Sequence, residues 1–175
     1  MEHEWRQSVH ADSQARFLAR RYMDDILCFY ASSPSWDEDR FLQDLCNECY
    51  HPPLKLEDGA EGTFLETSFE ITGNRIRHWL KNDNATGKPP KIWRYAHFDS
   101  HADFTQKRAV LMACLRKVQT MASDADALLA SATQKVAEFT RLSYPRKLLW
   151  TACTTMGVTT RHPAWFRARE QIPHA

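Results

Sequence analysis

The sequence predicts an α+β protein, with its strands in the first half of the chain and its helices in the second. Residues 17–31 form two runs rich in Tyr, Phe, Ile and Leu around a charged tip, which is typical of a strand–turn–strand unit. Residues 63–71 and 75–80 alternate apolar and polar side chains around Thr72-Gly73-Asn74, which predicts a second β-hairpin. Beyond residue 90, helical spacing and short connections predict a small antiparallel helical bundle.

Between the two hairpins, the pattern changes to that of a helix followed by a short strand. Phe41, Leu45 and Cys49 recur four residues apart within residues 36–50, and three acidic residues open this segment. Acidic side chains favour the start of a helix because the helix dipole is positive there. A Pro-Pro pair ends the helix, and the alternation of leucines after it predicts a strand at residues 54–57.

The second half is predicted to contain a linker, three helices and a tail. The helices are expected over residues 103–121, 124–142 and 145–156. The tail after Gly157 shows little periodicity, so we expect it to fray. The predicted division of the chain is a first domain at residues 1–81, a linker at 82–90, a helical domain at 91–157 and a tail at 158–175.

Composition excludes several classes of protein. There are only five glycines in 175 residues and no glycine-rich phosphate-binding motif. No apolar stretch is long enough to cross a bilayer, and residues 1–11 do not resemble a signal peptide, so we expect no membrane contact. Five irregularly spaced cysteines predict reduced thiols in an intracellular protein, with nucleus and cytoplasm not distinguished.

The net charge of +1 conceals two halves of opposite sign. Residues 1–90 hold 10 Lys and Arg against 16 Asp and Glu, whereas residues 91–175 hold 13 against six. An acidic half suits divalent metal, and a basic half suits phosphates. Two ordinary solvated surfaces are compatible with the same balance.

The strongest chemical signal is the pair of adjacent carboxylates, Asp24 and Asp25, at the tip of the first predicted hairpin. Two like charges held together repel unless a cation neutralises them. Nucleotidyl transfer uses two divalent cations about 3.5–4 Å apart, and Mg²⁺ prefers such oxygen ligands. The alternatives are a solvated turn and the interior of an ordinary helix.

The string Arg21-Tyr22-Met23-Asp24-Asp25-Ile26-Leu27 resembles the third palm motif of reverse transcriptases, in which Tyr-x-Asp-Asp connects two strands. The order of elements that follows is also similar, because the family continues with a helix, a strand, a primer-gripping β-hairpin and a helical thumb. The resemblance covers roughly residues 15–152. It implies a partial palm, formed by the motif hairpin, a helix and a second hairpin, followed by an all-α, thumb-like bundle.

Two later segments resemble reverse transcriptases of non-LTR and Penelope-like retroelements. Phe64-Leu65-Glu66 lies where the family has Phe-Leu-x. A Lys-Arg pair opens a thumb helix in the family, and Lys107-Arg108 stands in that place here. A later thumb helix starts at Gly-Tyr-Pro or a similar tripeptide, and Ser143-Tyr144-Pro145 matches it.

The resemblance implies roles for particular residues. Asp24 is the expected principal ligand of two Mg²⁺ or Mn²⁺ ions, with Asp25 as an auxiliary carboxylate. Tyr22 and Met23 are expected beneath the primer terminus, and Phe64 and Leu65 belong to the hairpin that grips the primer. The implied substrates are a deoxynucleoside triphosphate and an RNA or DNA template–primer.

The basic half contains dispersed Lys and Arg with aromatic residues between them. Backbone phosphates are bound by such distributed charge, and aromatic rings stack on unpaired bases. The residues expected to bind nucleic acid are Lys107, Arg108, Arg116, Lys117, Arg146 and Lys147. The alternative is that these side chains form an ordinary solvated surface.

The chain departs from the family pattern upstream of the motif. The family's first palm motif supplies another metal-binding Asp, and Asp12, the one aspartate before Tyr22, lies in a polar stretch. We therefore expect a polymerase fragment that binds metal weakly and does not extend a primer alone, and whether it is an enzyme stays open. The alternative is a non-catalytic retroelement remnant that binds nucleic acid or a partner protein, possible partners including the upstream half of the polymerase.

A zinc site is a weaker alternative. Cys46 and Cys49 have the spacing of half a zinc site, with His51 nearby and His97 and His101 available to complete it. Both cysteines, however, fall on the apolar stripe of the predicted helix, where cysteine commonly packs as a small hydrophobe. The sequence offers no serine, histidine and aspartate in a supported nucleophilic arrangement.

Overall fold

The computed structural model describes residues 17–22, 25–30, 38–48, 62–81 and 94–172. The chain divides into two compact units, residues 1–64 and 65–175, and each is described by itself. The described elements confirm the predicted α+β class, and four of the five described helices follow the last described strand. No described helix is both long enough and apolar enough to cross a membrane.

The first unit contains the hairpin that was predicted around the Asp-Asp pair. Strand β1 (Phe17–Tyr22) pairs antiparallel with β2 (Asp25–Tyr30), from Phe17 opposite Tyr30 to Tyr22 opposite Asp25. Helix α1 (Glu38–Glu48) lies within the predicted helix, and β3 is the two-residue strand Thr63–Phe64. The strand predicted at residues 54–57 lies outside the described residues.

The second unit begins with the second predicted hairpin. Strand β4 (Thr67–Thr72) pairs antiparallel with β5 (Arg75–Leu80), and the small three-stranded sheet has the order β3-β4-β5. The turn between β4 and β5 requires a left-handed backbone at its first central position, where φ is 58°. Gly73 occupies this position, and glycine adopts that conformation without steric cost.

Four helices follow, and two of them begin at capping aspartates. They are α2 (Phe104–Met121), α3 (Ala125–Arg141), α4 (Arg146–Thr160) and α5 (Ala164–Glu170). The Thr105 backbone N–H donates to Asp103 Oδ2 at 2.6 Å, and the Ala127 N–H donates to Asp124 Oδ1 at 2.8 Å. Hydrogen bonds from the Thr105 side chain, and then from its backbone N–H, lower the pKa of the Asp103 carboxyl, and the Ala127 N–H lowers the pKa of the Asp124 carboxyl.

The prediction that the chain frays after Gly157 is wrong. Helix α4 continues to Thr160, and α5 follows it with Trp165 and Ala168 completely buried. The division into domains also differs from the predicted one, because the β4–β5 hairpin falls in the same compact unit as the helices. The predicted linker at residues 82–90 lies outside the described residues.

The core of the second unit lies between the four helices and strand β5. Helix α5 packs against α3 and α4, while α2 and α3 both contact β5. The Trp165 indole N–H donates to Gln119 Oε1 on α2 at 2.6 Å. This short helix therefore contacts three others, and the buried indole donor of Trp165 is satisfied.

Strand β5 is joined to the loop between α2 and α3 by main-chain hydrogen bonds. The Ser123 N–H donates to the His78 carbonyl oxygen at 2.9 Å, and the His78 N–H donates to Ser123 Oγ at 2.9 Å. Arg77 Nε donates to Asp124 Oδ2 at 3.1 Å beside them. The residue that caps α3 is thus also a point of attachment for the sheet.

An ion pair is enclosed in the helical core. Lys135 Nζ lies 2.6 Å from Glu138 Oε2, and the two side chains are only 5% and 2% exposed. The Lys135 ammonium also lies 5.2 Å from the ring centre of Tyr95. Burial, and then the hydrogen bond with Cys114, raise the pKa of the Tyr95 hydroxyl above its usual range. These polar groups share one low-dielectric environment, in which loss of a single partner is costly.

Lys135→Met should therefore lower the free energy of unfolding by about 3–5 kcal/mol, because it removes the cation paired with the buried Glu138 carboxylate. The double variant Lys135→Met/Glu138→Leu should recover most of that loss, since both charges are then removed. Urea denaturation followed by circular dichroism measures both values. A double variant as unstable as the single one would contradict a penalty that arises from a buried carboxylate without its cation.

Gly157 provides a second test of the core, because Phe166 on α5 packs directly against it. A Cβ atom at this position would lie 2.8 Å from Phe166 Cζ. Gly157→Ala should lower stability by about 1–3 kcal/mol, since overpacking outweighs the helix propensity of alanine. In a Phe166→Ala background, the same change should instead raise the free energy of unfolding by about 1 kcal/mol, because only the higher helix propensity of alanine then matters. A loss of equal size in both backgrounds would show that Phe166 is not the obstacle.

Candidate functional site

One of the two predicted metal-binding residues, Asp25, lies at the closed end of the β1–β2 hairpin. Tyr22 and Asp25 are its last register pair, so they face each other across the two strands. Asp25 is exposed at the start of β2, and its carboxylate is accessible to solvent. Met23 and Asp24 lie outside the described residues. The described part of the motif therefore places one carboxylate where a cation can reach it.

The two residues expected near the primer differ in their environment. Phe64 is the second residue of β3 and is half-buried. Leu65 opens the turn before β4, where its φ of 55° is unusual for a branched side chain, and it is about half exposed. An exposed leucine on a strained turn is available for contact with a ligand, but no described contact identifies that ligand.

The basic residues predicted to bind nucleic acid do not all remain on the surface. Arg108 and Arg116 are exposed on α2, and Arg146 and Lys147 are exposed in the first turn of α4. Lys117 is half exposed and forms an ion pair with Glu66. Its charge is partly neutralised within the protein, so we give it less weight in a phosphate-binding surface.

The prediction that Lys107 faces nucleic acid is not supported by its position. Its side chain is buried at 7% exposure, and Nζ donates to the carbonyl oxygens of Phe98 and Ser100 at 2.5 and 2.6 Å. Nζ also lies 5.3 Å from the Phe98 ring centre. Lys107 instead fastens residues 98–100 onto α2, because a buried ammonium needs acceptors and these carbonyls supply them.

The weaker zinc hypothesis gains no geometric support. Within the described ranges, no three or more His, Cys, Asp or Glu side chains are grouped as a metal ion would require. Cys49 and His51 lie outside the described residues, His101 is exposed, and Cys46 is a half-buried thiol that forms no disulfide. Burial raises the pKa of the Cys153 thiol to about 12, so that cysteine is an unreactive core residue.

The structure brings together three residues that the sequence did not connect. Ser143 Oγ lies 3.0 Å from His97 Nε2, and His97 Nδ1 lies 3.4 Å from Asp99 Oδ2. The Asp99 backbone N–H, however, is directed at the same Nδ1 at 3.3 Å. His97 and Asp99 are 47% and 76% exposed, whereas an activated serine needs a water-excluding site. We interpret the Ser143–His97 contact as one that holds a turn.

That turn matches one feature of the reverse transcriptase resemblance. Ser143 has a φ of 62°, a left-handed conformation that glycine adopts most easily. It stands at the position where the family has glycine in Gly-Tyr-Pro. Tyr144 is buried, with its ring centre 4.8 Å from that of Phe139, and Pro145 precedes the first residue of α4. The backbone of the tripeptide thus explains why glycine suits its first position.

Comparisons with known protein families, with curated proteins and with solved structures find no match for this chain. The functional assignment therefore depends on the motifs and on the geometry of the described residues.

Ser143→Gly tests whether the turn stores backbone strain. In a His97→Ala background, the substitution should raise the free energy of unfolding by about 1 kcal/mol, the cost of a left-handed non-glycine residue. In the wild-type background the gain should be smaller, because the glycine loses the hydrogen bond to His97. Ser143→Ala is the control, since it loses the hydrogen bond and keeps the strain. Destabilisation by glycine in the His97→Ala background would refute the strain.

Proposed function

We propose that the chain carries the late palm and thumb of a reverse transcriptase of the non-LTR or Penelope-like kind. The activity is RNA-directed DNA polymerisation, a nucleotidyl transfer dependent on Mg²⁺ or Mn²⁺. The observation that carries this proposal is the Tyr-x-Asp-Asp string, whose Tyr22 and Asp25 form the last pair of an antiparallel hairpin. Neighbouring carboxylates on a short turn suit the hard divalent cations that two-metal chemistry uses.

The residues of this hairpin suit a hard divalent cation. Asp25 presents an exposed carboxylate at the start of β2, and Asp24 is its neighbour in sequence. Asp24 and Asp25 would hold metal ions, whose chemistry here would be activation of the primer 3′-hydroxyl and stabilisation of the charge on the departing pyrophosphate. In this proposal Asp24 and Asp25 would supply the oxygen ligands, and Tyr22 and Met23 would have the role beneath the primer end that the resemblance implies.

The second unit supports the proposal through its charge and its order of elements. Its hairpin and helices follow the motif in the order of primer grip and thumb. Arg108, Arg116, Arg146 and Lys147 are exposed, and they would bind the phosphates of a template–primer. The left-handed turn at Ser143 agrees with the family's glycine.

A second function is favoured by one specific observation. Ile71 and Ile76 form a register pair near the end of the β4–β5 hairpin, and both are about half exposed. Apolar side chains paired on a surface are typical of a contact site for another macromolecule. A non-catalytic retroelement remnant that binds nucleic acid or a partner protein through this unit would account for that pair.

Metal binding at the hairpin tip can be tested with Mn²⁺, which broadens the NMR signals of nearby amides. Addition of Mn²⁺ to the full chain should broaden Asp25 and its strand neighbours first, and Asp24→Asn/Asp25→Asn should abolish that effect. Asp39→Asn, an exposed aspartate on α1, is the matched control and should leave it unchanged. Broadening that persists in the double variant would exclude a metal site at this tip.

Catalysis is tested by magnesium-dependent primer extension, with the chain alone and with the upstream half of a polymerase supplied in trans. We expect extension only in the second reaction, and its loss on Asp24→Ala. Metal binding without extension in either reaction would favour the non-catalytic alternative. Extension that survives Asp24→Ala would overturn the assignment of the catalytic carboxylates.

A further inference from the structure

Three side chains from α4 and α5 form a layered contact at the surface of the second unit. The guanidinium carbon of Arg169 lies 4.5 Å from the ring centre of Trp150 and 5.4 Å from that of Phe166. A planar guanidinium stacks on aromatic faces and attracts them through its charge. Trp150 is the exposed member of this arrangement, with 43% of its surface accessible.

The layered contact is held in place from both helices. Gly157 on α4 lets the Phe166 ring approach the helix backbone directly. Arg169 Nη1 donates to Thr154 Oγ1 at 3.5 Å, and Thr154 Oγ1 in turn donates to the Trp150 carbonyl oxygen at 2.9 Å. Trp150 is therefore exposed but preorganised, because its neighbours fix one side of it before any ligand arrives.

The charge around Trp150 is positive. Arg146 and Lys147 lie four and three residues before it, and side chains at those spacings are neighbours on one helix face. Helix α4 contains no acidic residue, and α5 adds Arg167 and Arg169 against the single carboxylate of Glu170. An exposed indole within a cationic surface combines the two features that bind an unpaired strand: an aromatic platform and a site for its phosphates.

We propose that Trp150 is a stacking platform for an unpaired base of single-stranded nucleic acid, whose neighbouring phosphates contact Arg146 and Lys147. The inference rests on the proposed function only in so far as the second unit binds nucleic acid, and it specifies the kind of strand. A base within a duplex has both faces covered by its neighbours, so only an unpaired base can stack on the indole. The platform thus selects a single strand over a duplex of the same sequence.

The test is fluorescence anisotropy with the full chain and labelled oligonucleotides of about 12 nucleotides, a length within the usual site size. Single-stranded RNA, single-stranded DNA and the matching duplex are compared. Trp150→Ala should weaken single-strand binding about tenfold, the effect of one lost base stack, and should leave duplex binding unchanged. Trp150→Phe retains an aromatic face and should restore part of the affinity.

Val158→Ala is the matched control, because Val158 is on the same helix and is even more exposed, at 66%. It should leave both affinities unchanged. Lys147→Gln should weaken binding of every strand and reduce the slope of affinity against salt by about one, as expected for one phosphate contact. Thermal denaturation of each variant checks that the fold is retained.

The outcomes separate this inference from the proposed function. If Trp150→Ala binds the single strand as tightly as wild type while binding stays salt-dependent, the platform is refuted and nucleic-acid binding stands. If Trp150→Ala lowers the affinity for the single strand and for the duplex equally, stacking is also refuted. If no strand is bound by the wild-type chain at low salt, the nucleic-acid role of the second unit fails as well. Equal affinities for single-stranded RNA and single-stranded DNA would support stacking on the base, with no contribution from the sugar.

Discussion

Burial of Trp165 is the constraint on which the helical unit depends. Its indole is completely enclosed, and its one polar donor reaches Gln119 on α2. A buried tryptophan contributes several kcal/mol when compared with alanine, a large fraction of the stability of a unit this size. Because α5 has only seven residues, it cannot be stable by itself and forms only through this packing. The position of Arg169, and through it that of Trp150, follows from the same contact.

The features that the sequence predicted correctly are those determined by neighbours along the chain. The alternation in β4 and β5, Gly73 between them and the helix starts expected at residues 103 and 124 all depend on a few neighbouring residues. Helix α5 escaped prediction because seven residues after a proline contain too few turns to show a period. The spacing of Trp165, Ala168 and Ile172, all buried, is the signal that was available.

The candidate site likewise contains some features that the sequence reveals and others that depend on the folded structure. The Asp25 carboxylate and the basic turn of α4 are visible in the sequence, because composition and motif reveal them directly. The burial of Lys107 is not, since it depends on carbonyl oxygens that only the folded loop presents. The ion pair of Lys117 with Glu66 and the contact of Ser143 with His97 are also not visible in the sequence, because each joins residues that are distant along the chain. A basic residue on a helix is therefore only a candidate until the fold shows what it faces.

The hydrogen bonds between Ser123 and His78 affect whether a strand from another copy of the chain can pair with strand β5. Strand β5 is the last strand of its sheet, and a last strand presents open main-chain groups to which another chain can add. Here the loop after α2 already occupies the groups of His78, and the charged pair of Arg77 and Asp124 lies beside it. Another strand therefore cannot use the main-chain groups of His78 without displacing this loop. The exposed apolar pair of Ile71 and Ile76 thus lies on a hairpin whose outer strand is partly covered by the chain itself.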